Sequence, residues 1–196
     1  MKIDIEKNKK LIIELLRSTN REGMNDFIKR LEETDFFVAP ASAEFHLNVE
    51  GGLAYHSLKV YEVFDKLITS FWKGKYIHPS TRIICALLHD ACKIGIYHKK
   101  YVEDISCLGE EVQETLKWEG EYEREDNFPV GHGDKSVIVL LQNGLKLTPQ
   151  EIMIIRWHMS MYDQSYYRNS NDIKKVCPEA KLLYFADDIS TQYLED

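Results

Sequence analysis

Four ionisable residues, on four separate segments of the chain, lie on faces that helical spacing predicts to be buried. Each is preceded or followed by apolar residues at offsets of three, four or seven. The four are His56, Asp90, His158 and Asp187. An unpaired buried carboxylate costs several kcal/mol, and two of them repel each other. No lysine or arginine shares these faces, so we expect divalent cations to supply the positive charge.

The residue types indicate which cations these are. Imidazole nitrogen and carboxylate oxygen suit Zn²⁺, Mn²⁺, Fe²⁺ or Ni²⁺. A single histidine on an apolar face is more often a core residue, and a single aspartate near a helix end is more often a cap. Four such residues on four helices favour a metal site. His89 lies about 100° around a helix from Asp90, so both can line it.

The elements that must position these residues are predicted to be helices, which gives an all-α fold class for one domain, 1–196. In this domain 1–45 forms N-terminal helices and a lead-in loop packed on the core. Thr148, Pro149 and Glu151 form a helix start signal. The stretch 96–130 has no helical stripe, and we expect a loop or a small surface hairpin there. Helices are expected over 5–17, from about 19 to 33, from near 53 to 72, over 80–94 with Gly95 as the cap, over 133–144, from 149 through 159, and after Pro178.

Composition narrows the class of protein. The chain has 196 residues, 44% hydrophobic and 29% charged, which is typical of a soluble globular domain. Its net charge of -7 argues against binding to duplex nucleic acid. The four cysteines form no CxxC pair, so a disulfide framework is not expected. Apolar runs too short to cross a bilayer and an N-terminus without a secretory signal predict a cytoplasmic protein.

The order of the histidines and aspartates resembles that of the HD superfamily of metal-dependent phosphohydrolases: His56, then His89–Asp90, then Asp187. LLHDACKIG resembles the family's HD-x-x-K signature, with Cys92 where a glycine is common. GGLAYHSLKV resembles its opening helix and FADDIS its closing aspartate motif. PVGHGDKSV, IIRWHM and APASAEFHLNVEGG resemble segments of single-domain bacterial and phage HD hydrolases and of the HD domain of a bacterial 3′→5′ exoribonuclease. The resemblance spans roughly residues 10–195.

This resemblance implies an HD-domain helical bundle and a role for each matching residue. One metal ion would take His56, His89, Asp90 and Asp187, and a second would take His132 and His158, with Asp90 bridging the two. Lys93 would meet a phosphate oxygen, although a lysine that answers the helix dipole is the plain alternative. Lys135 has the same two interpretations, and His46 lies close enough to the GGL turn to reach a substrate.

The implied activity is hydrolysis of a phosphoester of a nucleotide, cyclic nucleotide or short oligonucleotide by a metal-bound hydroxide. The expected cofactors are one or two divalent ions of Mn, Fe, Ni, Co or Zn, and Mg is a further candidate. The expected partner is a small phosphorylated substrate, with no membrane or duplex nucleic acid; a homo-oligomer stays open. Two alternatives remain at this point: a di-iron oxygenase of the same fold acting on a small organic substrate, and a non-catalytic nucleotide-binding sensor.

Overall fold

The computed structural model describes residues 3–108 and 111–194, and it is predominantly helical with one two-stranded antiparallel sheet. Two single-turn 3₁₀ helices, Ala91–Lys93 and Ser160–Tyr162, interrupt the α-helical order. The all-α expectation therefore holds for most of the chain but not for the sheet. The α-helices are α1 Ile5–Ser18, α2 Met24–Glu32, α3 Gly52–Phe71, α4 Pro79–Leu88, α5 His132–Gln142, α6 Pro149–Arg156, α7 Tyr166–Val176 and α8 Ala180–Tyr193, and the strands are β1 Tyr97–Leu108 and β2 Glu111–Arg124.

The longest helix, α3, is the centre of the packing. It contacts α8 on one side and α4 on another, while α1 covers both α3 and α4. Its apolar stripe is fully buried at Leu53, Val60 and Phe64, and His56 lies on the same stripe with no exposed surface. The predicted buried face of this helix is therefore confirmed, including its polar member.

The expected insertion is the antiparallel pair β1 and β2, so the hairpin alternative for 96–130 is the one that the structure supports. The pairing begins with Tyr97 opposite Arg124 and ends with Leu108 opposite Glu111. The register shifts between Lys99 and Tyr101. Since β1 follows directly after Lys93, the first residues of the sheet lie beside the polar cluster described below.

Helix α4 ends six residues before residue 94, the end that the sequence predicted. It ends at Leu88, and Asp90 leaves the helical conformation with φ -99° and ψ 22° before the 3₁₀ turn. The Cys92 N–H then donates to the Ser136 hydroxyl at 3.1 Å instead of to a carbonyl of α4. A contact with α5, invisible to local spacing, thus decides where the helix ends.

The other helix boundaries follow local signals unevenly. Thr148 and Glu151 form the predicted reciprocal capping box of α6, but this helix ends at Arg156, so His158 lies beyond it. Helix α2 begins at Met24 and not near residue 19, because the Thr19 hydroxyl donates to Leu16 and closes α1 instead. Helix α7 was not predicted. Among the described helices, none is both long and apolar enough to span a membrane.

Candidate metal centre

Side chains from α3, α8 and the end of α4 bring four possible ligand atoms together in the interior. His56 Nε2 lies 3.3 Å from His89 Nε2 and 3.3 Å from Asp187 Oδ1. The second oxygen of Asp90, Oδ2, lies 3.5 Å from His56 Nε2 and 3.5 Å from His89 Nε2. Both histidines are fully buried. These are the four residues that the resemblance assigned to one metal ion.

The other oxygen of Asp90 faces a second group of imidazoles. His132 donates its Nε2–H to Asp90 Oδ1 at 2.6 Å, and His158 Nε2 lies 3.7 Å from the same oxygen. The rings of His132 and His158 have centroids 5.3 Å apart. One carboxylate therefore separates two clusters of donor atoms, as expected of a bridging residue.

Two of the imidazoles are oriented by main-chain carbonyls. His89 Nδ1 lies 2.8 Å from Ala86 O, and His158 Nδ1 lies 2.6 Å from Ile155 O. Because a carbonyl oxygen only accepts, Nδ1 carries the proton in both rings and Nε2 presents a lone pair. Metal-binding histidines are commonly held in this way by the nitrogen that does not bind the ion.

His158 provides the clearest sign that a cation fits here. Its Nε2 atom is buried and has no hydrogen-bond partner among the described residues. A carboxylate oxygen, Asp90 Oδ1, lies 3.7 Å from this nitrogen. A buried acceptor without a donor costs about 1–3 kcal/mol. A cation placed between the nitrogen and the carboxylate would remove that cost.

The spacing of the first group also suits a common ion. Nitrogen and oxygen ligands held about 2.0–2.2 Å from one ion, at tetrahedral to right angles, lie roughly 2.8–3.6 Å apart. Four separations among the donor atoms of His56, His89, Asp90 and Asp187 are 3.3, 3.3, 3.5 and 3.5 Å. The donor set present therefore fits a divalent transition metal.

Two glycines allow the close approaches on which this arrangement depends. A Cβ on Gly133 would lie 2.1 Å from the Arg156 carbonyl oxygen, so only glycine lets the start of α5 reach the end of α6 and bring His132 to His158. A Cβ on Gly52 would lie 2.3 Å from the Leu47 oxygen. That contact holds the preceding loop against α3, where the His46 ring is 5.1 Å from the ring of His56.

One step of the charge argument from sequence is wrong. Lys93 was expected to meet a substrate phosphate and was not counted as a charge partner of the buried carboxylates, yet its Nζ lies 2.7 Å from Asp90 Oδ2, with only 12% of the lysine side chain exposed. The 3₁₀ turn after α4 produces this contact, because it places Lys93 over Asp90 three residues earlier. Lys93 therefore supplies a compensating charge at Asp90, one of the two carboxylates of the centre.

The pKa shifts describe the protonation state of the centre. Burial lowers the pKa of His89 to about 4, so this imidazole is neutral at pH 7. Burial alone raises the pKa of Asp90, but Lys93 and the neighbouring imidazoles outweigh it and hold the pKa well below its usual range. Burial also raises the pKa of Asp187, and the hydrogen bond from His56 more than reverses this. Neutral imidazole and charged carboxylate are the forms that bind metals.

The centre opens into a cavity of about 210 Å³. A second cavity of about 420 Å³ adjoins it and shares His46, Lys93, His132 and Met159. His46, proposed from sequence to reach a substrate, thus lies in the wall between them. The first cavity is lined by His46, Asp90, Lys93, His132, Met159, Tyr162, Tyr184, Asp187, Asp188 and Thr191.

Lys135 does not line the two cavities that adjoin the centre. Its ammonium group is paired with Asp126 Oδ1 at 2.5 Å, and 8% of its side chain is exposed. It lines a small cavity of about 80 Å³ with His132 and Arg124 rather than the opening above Asp90. The structure therefore gives this lysine a carboxylate partner where a phosphate contact was expected.

Cys92 is a residue of the centre that was not assigned a role from sequence. Its Sγ atom lies 3.2 Å from His132 Nε2, and Asp90, Cys92 and His132 form a group with mutually close donor atoms. The available signal was the departure of LLHDACKIG from the HD-x-x-K pattern, in which a cysteine replaces a common glycine.

Comparison with protein-family models, curated proteins and solved structures finds no match.

Proposed function

We propose that the protein is a metal-dependent phosphohydrolase with an HD-type helical bundle, acting on a small phosphoester such as a nucleotide, cyclic nucleotide or short oligonucleotide end. The observation that carries the proposal is the convergence of six donors, from four histidines and two aspartates, on both sides of Asp90 beneath an open cavity. A purely structural cluster would not need the buried, partnerless nitrogen of His158.

Two sets of residues would hold the ions. The first set is His56, His89, Asp187 and Asp90 through Oδ2; the second is His132, His158 and Asp90 through Oδ1. When bound, such ions lower the pKa of a water molecule towards neutrality and polarise phosphoryl oxygens. The neutral His89 and the charged aspartates already have the required protonation states.

The chain's own groups would orient the phosphoester. Lys93 lines both adjoining cavities, so its ammonium group can bind a phosphoryl oxygen as a point charge once Asp90 is engaged elsewhere. His46 lines the same two cavities and would contact the ester from the side. The first cavity is smaller than the roughly 300–1,000 Å³ of typical ligand sites, so the remainder of the substrate would occupy the second.

Lys93 also favours hydrolysis over the oxygenase alternative. An ammonium group beside the donor cluster, facing a cavity, is suited to an anionic substrate more than to an uncharged organic one. Arg124 lines the adjoining cavity and adds a second cation on that side.

The test begins with the metal content of the purified protein. Phosphate or nucleotide release is then measured from a panel of phosphomonoesters, cyclic nucleotides and short oligonucleotides with added Mn²⁺, Ni²⁺, Co²⁺, Zn²⁺ or Mg²⁺. We expect cleavage of at least one class and its loss in Asp187→Asn together with the bound metal. Asp188→Asn is the matched control, since the neighbouring carboxylate belongs to none of the donor groups and its substitution should leave the metal content unchanged.

The contrary result is equally specific. If no phosphoester is cleaved with any metal, while Fe²⁺-loaded protein consumes oxygen with an organic substrate, the hydrolase proposal is rejected in favour of the oxygenase. Binding of nucleotides without turnover of either kind would favour the sensor.

A further inference from the structure

We propose that the thiolate of Cys92 is a ligand of the second metal ion and makes that position selective for thiophilic ions such as Zn²⁺ and Fe²⁺ over Mg²⁺. The inference rests on the metal centre of the proposed function, and it extends the ligand set of the second ion beyond Asp90, His132 and His158.

The position of the sulfur atom supports this ligand role. Cys92 Sγ lies 3.2 Å from His132 Nε2, which itself lies 2.6 Å from Asp90 Oδ1. A nitrogen held about 2.0–2.1 Å and a sulfur held about 2.3 Å from one zinc ion are roughly 3.1–3.6 Å apart. The sulfur and nitrogen therefore already have the separation of two ligands of one ion, and binding would require His132 to release its hydrogen bond to Asp90.

A second observation indicates that a ligand is missing at the same place. His158 has no exposed surface, and its unpartnered Nε2 lies 3.7 Å from Asp90 Oδ1, the oxygen that also contacts His132. Its Nδ1 lies 2.6 Å from Ile155 O, so Nδ1 is the donor to the main chain and Nε2 is the nitrogen on the side of Asp90. Asp90, Cys92 and His132 thus offer one carboxylate oxygen, one sulfur and one imidazole nitrogen within 4.8 Å of one another, a set of three ligands for one ion, and His158 lies beside the same carboxylate.

The backbone around Cys92 fixes this position. The Cys92 N–H donates to the Ser136 hydroxyl, and Ser136 lies on α5, one turn after His132. The same helix therefore positions the imidazole and anchors the thiol. Cys85 provides the contrast: it is equally buried, but its sulfur contacts the Glu151 main-chain oxygen at 3.9 Å and no imidazole.

The proton balance of binding is simple. The thiol loses its proton to solvent as the sulfur–metal bond forms, and the His132 ring moves its proton from Nε2 to Nδ1 by exchange with solvent, so Nε2 becomes a ligand without a change in the charge of the ring. The resulting thiolate and carboxylate offset both charges of a divalent ion. A soft thiolate binds Zn²⁺ or Fe²⁺ well and Mg²⁺ poorly, because Mg²⁺ prefers oxygen ligands.

X-ray absorption spectroscopy of the zinc-loaded full-length chain tests the inference directly. We expect a sulfur scatterer at about 2.3 Å, distinct from nitrogen and oxygen at about 2.0–2.2 Å. Cobalt-loaded protein should show a sulfur-to-cobalt charge-transfer band in the near ultraviolet. Both signals should vanish in Cys92→Ser and persist in the matched control Cys85→Ser. Zinc affinity in Cys92→Ser should fall at least about tenfold, while magnesium affinity changes less.

Each outcome decides a separate question. Bound zinc without a sulfur scatterer, or a scatterer that persists in Cys92→Ser, overturns the thiolate ligand and leaves the hydrolase proposal intact. A sulfur scatterer in a protein that cleaves no phosphoester supports the ligand and rejects the hydrolase. Absence of metal binding overturns both. If Cys92→Ser does not fold, Cys92→Ala provides the same comparison, and the spectrum of the unaltered chain remains decisive.

Discussion

Replacing Lys93 by methionine would test the relation between the lysine and the metal centre. The variant keeps most of the side-chain volume and removes the ammonium group 2.7 Å from Asp90 Oδ2. The two side chains are only 12% and 4% exposed, so Asp90 would remain as a buried carboxylate that has lost its ammonium partner but keeps the 2.6 Å hydrogen bond from His132. Loss of one partner of a buried ion pair costs about 3–5 kcal/mol, which for a chain of this size lowers the ion-free Tm by roughly 6–20 °C.

A divalent ion at Asp90 should replace the missing charge. At a free concentration about 1,000 times Kd, a ligand stabilises the folded state by about 4 kcal/mol, which is close to the expected loss. The increase in Tm on adding zinc should also be larger in Lys93→Met than in the unaltered chain, because the lysine ammonium no longer competes with the ion for Oδ2.

The assay is thermal unfolding of chelator-treated protein, followed by circular dichroism with and without zinc. Lys135→Met is the matched control, since Lys135 forms a similarly buried pair at 2.5 Å with Asp126, a carboxylate that belongs to none of the donor groups. It should lose comparable stability without any enhanced response to zinc. Identical zinc responses in the two variants would refute the reasoning that an ion binds Asp90 in place of the lysine charge.

Three further predictions concern other buried groups. Glu151→Gln should lower the unfolding free energy measured in urea by about 3 kcal/mol, because Arg21 would lose its buried carboxylate partner. Burial raises the pKa of Glu151, but the hydrogen bonds from Arg21 lower it further, so the stability that the pair contributes is lost as pH falls below about 4.5. If the variant and the unaltered chain lose the same stability over that acid range, this prediction is contradicted. His158→Phe should retain the helical circular dichroism spectrum yet bind one ion fewer per chain by elemental analysis; an unchanged metal count would exclude His158 as a ligand. The ion-free protein should lose up to about 3 kcal/mol of stability between pH 6.5 and 4, because His89 takes up a proton at a higher pH in the unfolded chain than in the folded one. In urea denaturation at different pH values, His89→Gln should make the unfolding free energy depend less on pH over this range. An equal pH dependence in the variant and the unaltered chain would exclude His89 as the source.

Features that depend on neighbouring residues were predictable from the sequence. The apolar stripe of α3 placed His56 in the interior, and the capping box at Thr148 placed the start of α6, because side-chain spacing and first-turn hydrogen bonds are local properties. The resemblance of the histidine and aspartate order to that of the HD superfamily implied which residues would meet. The structure brings all six together around Asp90.

Features that depend on contacts between distant segments were decided only by the tertiary structure. Local spacing extended α4 to residue 94, whereas Ser136 of α5 takes the Cys92 N–H and Asp90 leaves the helix. That departure brings Lys93 onto the Asp90 carboxylate and Cys92 to His132, forty residues further along the chain. A helical pattern records which face of its own segment is apolar, but it carries no information on which side chain of another segment lies opposite, and the charge balance of this centre depends on those pairings.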